Sequence, residues 1–284
     1  MISFFFIFII LKMMMKLLDW INNHKINWSY LSNNPNAISL LEKNFDKINW
    51  YNLSSNPNAI SLLDANPDKI VWCELSKNPN AISLLKAYPN KINWHILSKN
   101  PNAISLLKEN PDKIDWFMLS FNPNAISIIK ENLDKIDWIN LSSNPNAISL
   151  LEANPDKINW DYLTLNPNAM NLIKANLNKV RWNMLSCNPN AISLLEANPD
   201  KINWFSLSKN PNSISILEAN KDKIVWDILM ANPSIFIYDY ETIKTTKTDL
   251  NEEAIAKSLH PKRIFRLIEE YGEDEIYNIY FDED

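Results

Sequence analysis

The chain has 284 residues, 46% hydrophobic and 21% charged, a balance that supports a folded core and argues against disorder. Its formal net charge is −5, and lysines alternate with carboxylates, so it offers no basic surface for gripping a nucleic-acid backbone. Its one glycine, Gly272, excludes glycine-rich phosphate loops and glycine hairpins.

In chain order, residues 1–12 form an apolar leader that includes Phe4-Phe5-Phe6-Ile7-Phe8-Ile9-Ile10. Its apolar run is shorter than the roughly 20 residues a bilayer requires. Lys12 and Lys16 follow that run, whereas a secretion signal carries its positive charge in front. Three readings stand: an over-extended start with initiation at Met13, Met14 or Met15, a signal or anchor, or a buried cap. Membrane contact is expected only if residues 1–11 belong to the protein. Residues 13–21 are predicted to form an N-terminal cap helix, because Lys16-Leu17-Leu18-Asp19-Trp20-Ile21 echoes the second half of a later repeat.

Residues 22–241 consist of ten 22-residue repeats without insertion. Repeats 1 to 10 are 22–43, 44–65, 66–87, 88–109, 110–131, 132–153, 154–175, 176–197, 198–219 and 220–241. Trp28, Trp50, Trp72, Trp94, Trp116, Trp138, Trp160, Trp182, Trp204 and Trp226 keep strict step. A period of this length marks a solenoid, in which each repeat packs only on its neighbours. Two half-motifs begin alike, Asn-Pro-Asp-Lys-Ile and Asn-Pro-Asn-Ala-Ile. Asn is a favoured helix cap and Pro suits the first helical position, so two short helices per repeat are predicted. Ile70, Trp72 and Leu75, then Ala81, Ile82, Leu84 and Leu85, have the spacing of inward helix faces. Helices this short do not persist alone in water, so stacking must stabilise them, with a buried Trp ladder expected as the largest apolar term.

The predicted fold class is an all-α solenoid, right- or left-handed, with helical caps at both ends. The alternative is a leucine-rich-type β-solenoid, whose repeats have similar length. The Leu-x-x-Leu-x-Leu strand pattern is absent, since Ser76-Lys77-Asn78-Pro79 follows Leu75. Residues 242–284 are predicted to be a C-terminal cap, with helices at 251–259 and 261–271 and an acidic tail.

Repeats reading Asn-Pro-Asn-Ala-Ile-x-Leu-Leu-Glu-x-Asn-Pro-Asp-Lys-Ile-x-Trp-x-x-Leu-Ser resemble a family of uncharacterised repeat proteins of giant, mimivirus-like DNA viruses. The exit Asn232-Pro233-Ser234-Ile235-Phe236-Ile237-Tyr238-Asp239-Tyr240, followed by His260-Pro261-Lys262-Arg263-Ile264, is similar to that family's C-terminal segment. The resemblance implies a viral origin and a location in host cytoplasm or virion. It implies no biochemical activity.

No enzymatic chemistry is expected. His24, His95 and His260 lack metal-ligand spacing, and residues identical in every repeat serve packing and capping. No catalytic, cofactor or metal residue is therefore nominated, and no cofactor or small-molecule substrate is expected. Cys73 and Cys187 lie about five repeats apart, beyond disulfide reach at helix spacings of about 8–10 Å, which suits a reducing compartment. The sequons at Asn27, Asn52 and Asn140 fall out of the repeat by chance.

The informative positions follow each Trp by one, two and five residues. The first and last share a helical face. Tyr51, His95, Lys99, Phe117, Phe121, Ile139, Leu165 and Phe205 form the candidate partner-binding ridge, with apolar groups clustered mid-array where drift should leave polar ones. The expected function is a protein-binding scaffold with an unknown protein partner. The alternatives are a structural array that stacks end to end, and a helical-repeat nucleic-acid binder, which the charge disfavours.

Overall fold

The computed structural model describes residues 15–21 and 25–239. Two compact bodies are present: residues 17–236, and a second of which only 15–16 and 237–239 are described. The leader, His24 and the predicted C-terminal helices lie outside the described residues. The fold is the predicted all-α repeat array of short helices, with one two-stranded sheet made by β1 (Met15–Leu17) and β2 (Phe236–Tyr238). Residues 15–17 are thus a strand where a cap helix is predicted.

Repeats 2 to 9 add a tight turn to the predicted helix pair, whereas in repeat 10 a 3-10 turn, Pro233–Ile235, runs into β2 where the second helix is predicted. In repeat 3, Pro67–Lys69 is a 3-10 turn, Ile70 is extended, and the first helix runs only from Trp72 to Leu75. The Asn before this turn is not the cap of that helix. Asn66 donates through Nδ2 to Leu62 O at 2.8 Å and so closes the preceding helix. The cap lies one residue before the Trp, as where Asn93 Oδ1 accepts from Ile96 N. The second helix, Ile104–Glu109 in repeat 4, follows a turn in which Asn100 accepts from Asn102 N.

The core differs from the expected Trp ladder. Every repeat Trp is only half-buried. The fully buried apolar ladders are Leu119 and its equivalents three residues after each Trp, the turn alanines such as Ala125, and the second-helix Leu or Ile such as Leu107 and Ile129. Lysines cover the Trp faces from the following repeat, with Lys47 over Trp28 at 4.8 Å and Lys201 over Trp182 at 4.5 Å. The half-burial has a plain cause: ring faces left open between repeats are shielded by a flexible cation instead of a packed side chain.

Beside these ladders runs a buried ladder of asparagines. Asn122 Nδ2 donates to Ser98 O at 3.0 Å and to Asn100 O at 2.7 Å in the preceding repeat, while its Oδ1 accepts from Asn124 N. The same pair of donations recurs at each of the nine joints between successive repeats. A carboxamide's two N–H groups and its oxygen are thereby all used at a site without water.

The pattern does not stop at the ends of the array. Asn34, in repeat 1, donates to Met230 O at 2.9 Å and Asn232 O at 2.8 Å in repeat 10. Asn36 reaches Pro233 O as Asn58 reaches Pro35 O, and Lys25 lies over Trp226 as Lys47 lies over Trp28. Repeat 1 therefore packs on repeat 10 in the register of every other joint, and residues 17–236 close into a ring. A closed ring has neither net pitch nor free end faces to cap. Ten equal joints turn about 36° each, and helix spacings of about 8–10 Å put the inner helices on a radius of roughly 13–16 Å.

The Trp helices are the inner layer. Helix-to-helix packing between repeats is closest among them, as between Trp204–Lys209 and Trp226–Leu229. The second helices splay, leaving a cleft of about 320 Å³ on repeat 9, lined chiefly by Pro199, Ile202, Trp204 and Ile216 and flanked by Glu196 of repeat 8 and Lys223 of repeat 10. In a ring, the closely spaced layer is the one nearer the axis.

Asn122→Ala should lower stability by about 1–3 kcal/mol for each carbonyl left dry, read as a fall in the urea midpoint. Asn124→Ala, which loses an exposed bond to Pro101 O, should cost less than about 1 kcal/mol. Equal losses would contradict the ladder's role.

Candidate interaction surface

The short Trp helices determine which variable side chains emerge. The third residue after each Trp is buried. The fourth, usually Ser, bonds back to the Trp carbonyl and accepts the N–H of the residue before the next Trp; Ser120 Oγ donates to Trp116 O and accepts from Asp137 N. That fixes the helix and leaves positions one and five at least partly exposed on the inner face, whereas position two is more enclosed, with Glu74, Asn140 and Ile228 buried.

The structure brings three of the eight predicted ridge residues into one cluster. Phe121 sits at its centre: Phe117 packs edge-on at 6.4 Å, and the Lys99 ammonium lies 4.3 Å from the Phe121 ring centroid. The ring of Tyr162 approaches Phe121 to 6.3 Å although it belongs to repeat 7 and Phe121 to repeat 5. Side chains two repeats apart meet only where the ring narrows, which places this cluster toward the axis. Burial lowers the Lys99 ammonium below its ordinary 10.5, and neighbouring Lys77 adds to the shift.

The other ridge residues are more dispersed. Ile139, 46% exposed, belongs to repeat 6, between the repeats that supply Phe121 and Tyr162. Leu165 is half-buried in repeat 7. Phe205 is 55% exposed in repeat 9, four joints from Phe117, and stands apart from the cluster. Tyr51, 53% exposed, is tied to Glu74, whose hydrogen bond and negative charge raise the phenol above its ordinary value. Glu74 is itself buried and bonded to Lys77 Nζ at 2.6 Å.

His95 takes part in a different arrangement, the pairing of the residue after one Trp with the residue before the next. His95 Nδ1 lies 2.6 Å from Asp115 Oδ2, and Arg181 Nε lies 2.6 Å from Asp161 Oδ1. Asn27 Nδ2 bonds Asp227 Oδ1 at 3.1 Å in the same way, across the joint between repeats 1 and 10. Tyr162 and Glu74 were missed because the position two after each Trp, though variable, was not read for its large or charged members. Asp115 was missed because the caps were placed at the Asn-Pro starts and the residue before each Trp was given no role.

Among the described residues, no group of three His, Cys, Asp or Glu side chains is placed to hold a metal ion, and no helix is long and apolar enough to cross a membrane. Cys73 and Cys187 are free thiols. Comparison with family models, curated proteins and solved structures finds no match to this chain.

The Asp115 carboxyl has a pH signature. Burial alone would raise it, but the Met118 N–H, His95 and the Phe117 N–H together hold it below its ordinary 3.8. A depressed carboxylate stabilises the fold above its unfolded value, and that stabilisation is lost as pH falls through the folded value. Asp115→Asn should therefore destabilise the protein at pH 7 and lose that deficit below about pH 3.8, as measured by urea unfolding at each pH. A deficit independent of pH would show that the charge is not what matters.

Proposed function

We propose that this chain is a non-enzymatic scaffold that holds a segment of a partner protein against the inner face of its ring. The observation that carries this reading is the Lys99, Phe117, Phe121 and Tyr162 cluster, where an exposed Phe117 and the half-buried rings of Phe121 and Tyr162 sit beside a partly desolvated cation. Invariant packing residues surround it, so these side chains are not needed to build the repeat. Exposed aromatic anchors with a charged neighbour are the usual centre of a protein interface.

The chemistry points to a segment carrying an aromatic or large aliphatic residue next to a carboxylate. The aromatic group would stack on Phe117 and Phe121. The carboxylate would meet Lys99, whose ammonium lies over a ring rather than against an acid. The repeat's likeness to proteins of giant DNA viruses supplies the expected setting, host cytoplasm or virion.

An array stacking end to end would need free end faces, and ring closure occupies both. A nucleic-acid reader would need a basic inner face, yet Lys77 there is neutralised by Glu74 and net charge is −5.

A displayed peptide library panned on the protein should enrich acidic-aromatic sequences. Replacing Phe117 and Phe121 together with Ser should weaken the selected peptides at least tenfold while circular dichroism stays unchanged, and Lys99→Ala should weaken only the acidic ones. Enrichment that survives the double substitution would move the site elsewhere.

A further inference from the structure

The joint between repeats 1 and 10 has the register of the other joints but not their full set of bonds. No peptide links its two sides directly. The serine that accepts the next repeat's N–H at eight joints is replaced here by Met230, whose thioether is a weak acceptor. Other groups compensate, with Leu18 and Trp20 coming from outside the repeats to meet residues of repeat 10. Trp20 packs edge-on against Trp226 at 6.2 Å, Lys221 lies 5.5 Å from the Trp20 ring, and Leu18 N donates to Ile235 O at 2.9 Å. Among the described residues, Trp20 Nε1 is the buried side-chain polar atom that finds no hydrogen-bond partner. An indole N–H hidden without a partner is better hydrated than packed, so the contact that shuts the ring is under a standing penalty.

We propose that the ring opens and closes at this joint, and that residues 18–21, centred on Trp20, are the clasp that sets the balance. At the other nine joints the chain runs through, so separation there needs local unfolding of a repeat. At this joint separation breaks no peptide: the ladder bonds of Asn34 and Asn36, the Asn27–Asp227 bond and the Lys25 contact part, and Leu18 and Trp20 leave Ile235 and Trp226. The Trp28–Ser32 helix keeps its Asn27 cap and the Pro233–Ile235 turn its Asn232 cap, so opening is a hinge-like change of the whole array.

Hydrogen exchange on the full chain tests this by comparing amides with identical roles. Ala37 N bonds to Asn34 O beside the joint as Ala125 N bonds to Asn122 O in mid-ring. In the unmodified protein, Ala37 should exchange at least tenfold faster than Ala125. Trp20→Ala should widen that ratio at least a further tenfold, with Ala125 unaltered. Lys221→Ala, which removes only the cation over Trp20, should widen it less, and it serves as the test if the first variant fails to fold. Equal protection of the two amides in the unmodified chain, or a uniform loss of protection in the variants, would overturn the proposal.

Discussion

Everything in this ring depends on one buried carboxamide per joint. The asparagine that opens each second half-motif satisfies two backbone carbonyls of the preceding repeat and one N–H of its own, all away from water. Net, such bonds add modestly to stability, but leaving any one unmade is costly, so the ladder tolerates only one register. Leucines and alanines beside it supply the apolar burial, which is non-directional. The asparagines supply the geometry. Helices of four to six residues can then persist, because their ends are fixed by the neighbours as well as by themselves.

Fixed geometry at each joint has a consequence for the whole. A small constant rotation repeated along a solenoid gives a coil, an arc or, when the rotation divides the circle and the rise vanishes, a ring. Here the tenth joint keeps the register of the other nine. Closure turns the surface into two unlike sides. Splayed outer helices leave a cleft beside the half-buried Trp204, and the inner face crowds together side chains that are distant in sequence. Phe121 and Tyr162 meet for that reason alone.

The period, the helix pairs and the all-α class were legible because caps and apolar spacing repeat without interruption. The different jobs of two similar half-motifs were not. Asn66 and Asn78 both precede a Pro, yet one ends a helix and the other bridges to the previous repeat, a difference set by what each faces. The Trp ladder was over-read because size was taken for burial. Ring closure did leave a trace: Leu31, Asn34 and Ala37 of repeat 1 match their interior equivalents, whereas an open array needs a polar outer face on its terminal repeats. Of the ridge, Lys99, Phe117 and Phe121 were found from variability alone, and their convergence with Tyr162 needed the curvature.

Closure itself is tested most directly by distance. Spin labels on Ser39→Cys and Ser215→Cys, with Cys73 and Cys187 replaced by Ser, report on repeats 1 and 9; labels on Ser39→Cys and Ser83→Cys report on repeats 1 and 3. In a closed ring both pairs are two joints apart, so pulsed electron–electron resonance should return the same distance within the label's own spread. A distance for the first pair well beyond that of the second would mean that the array is open.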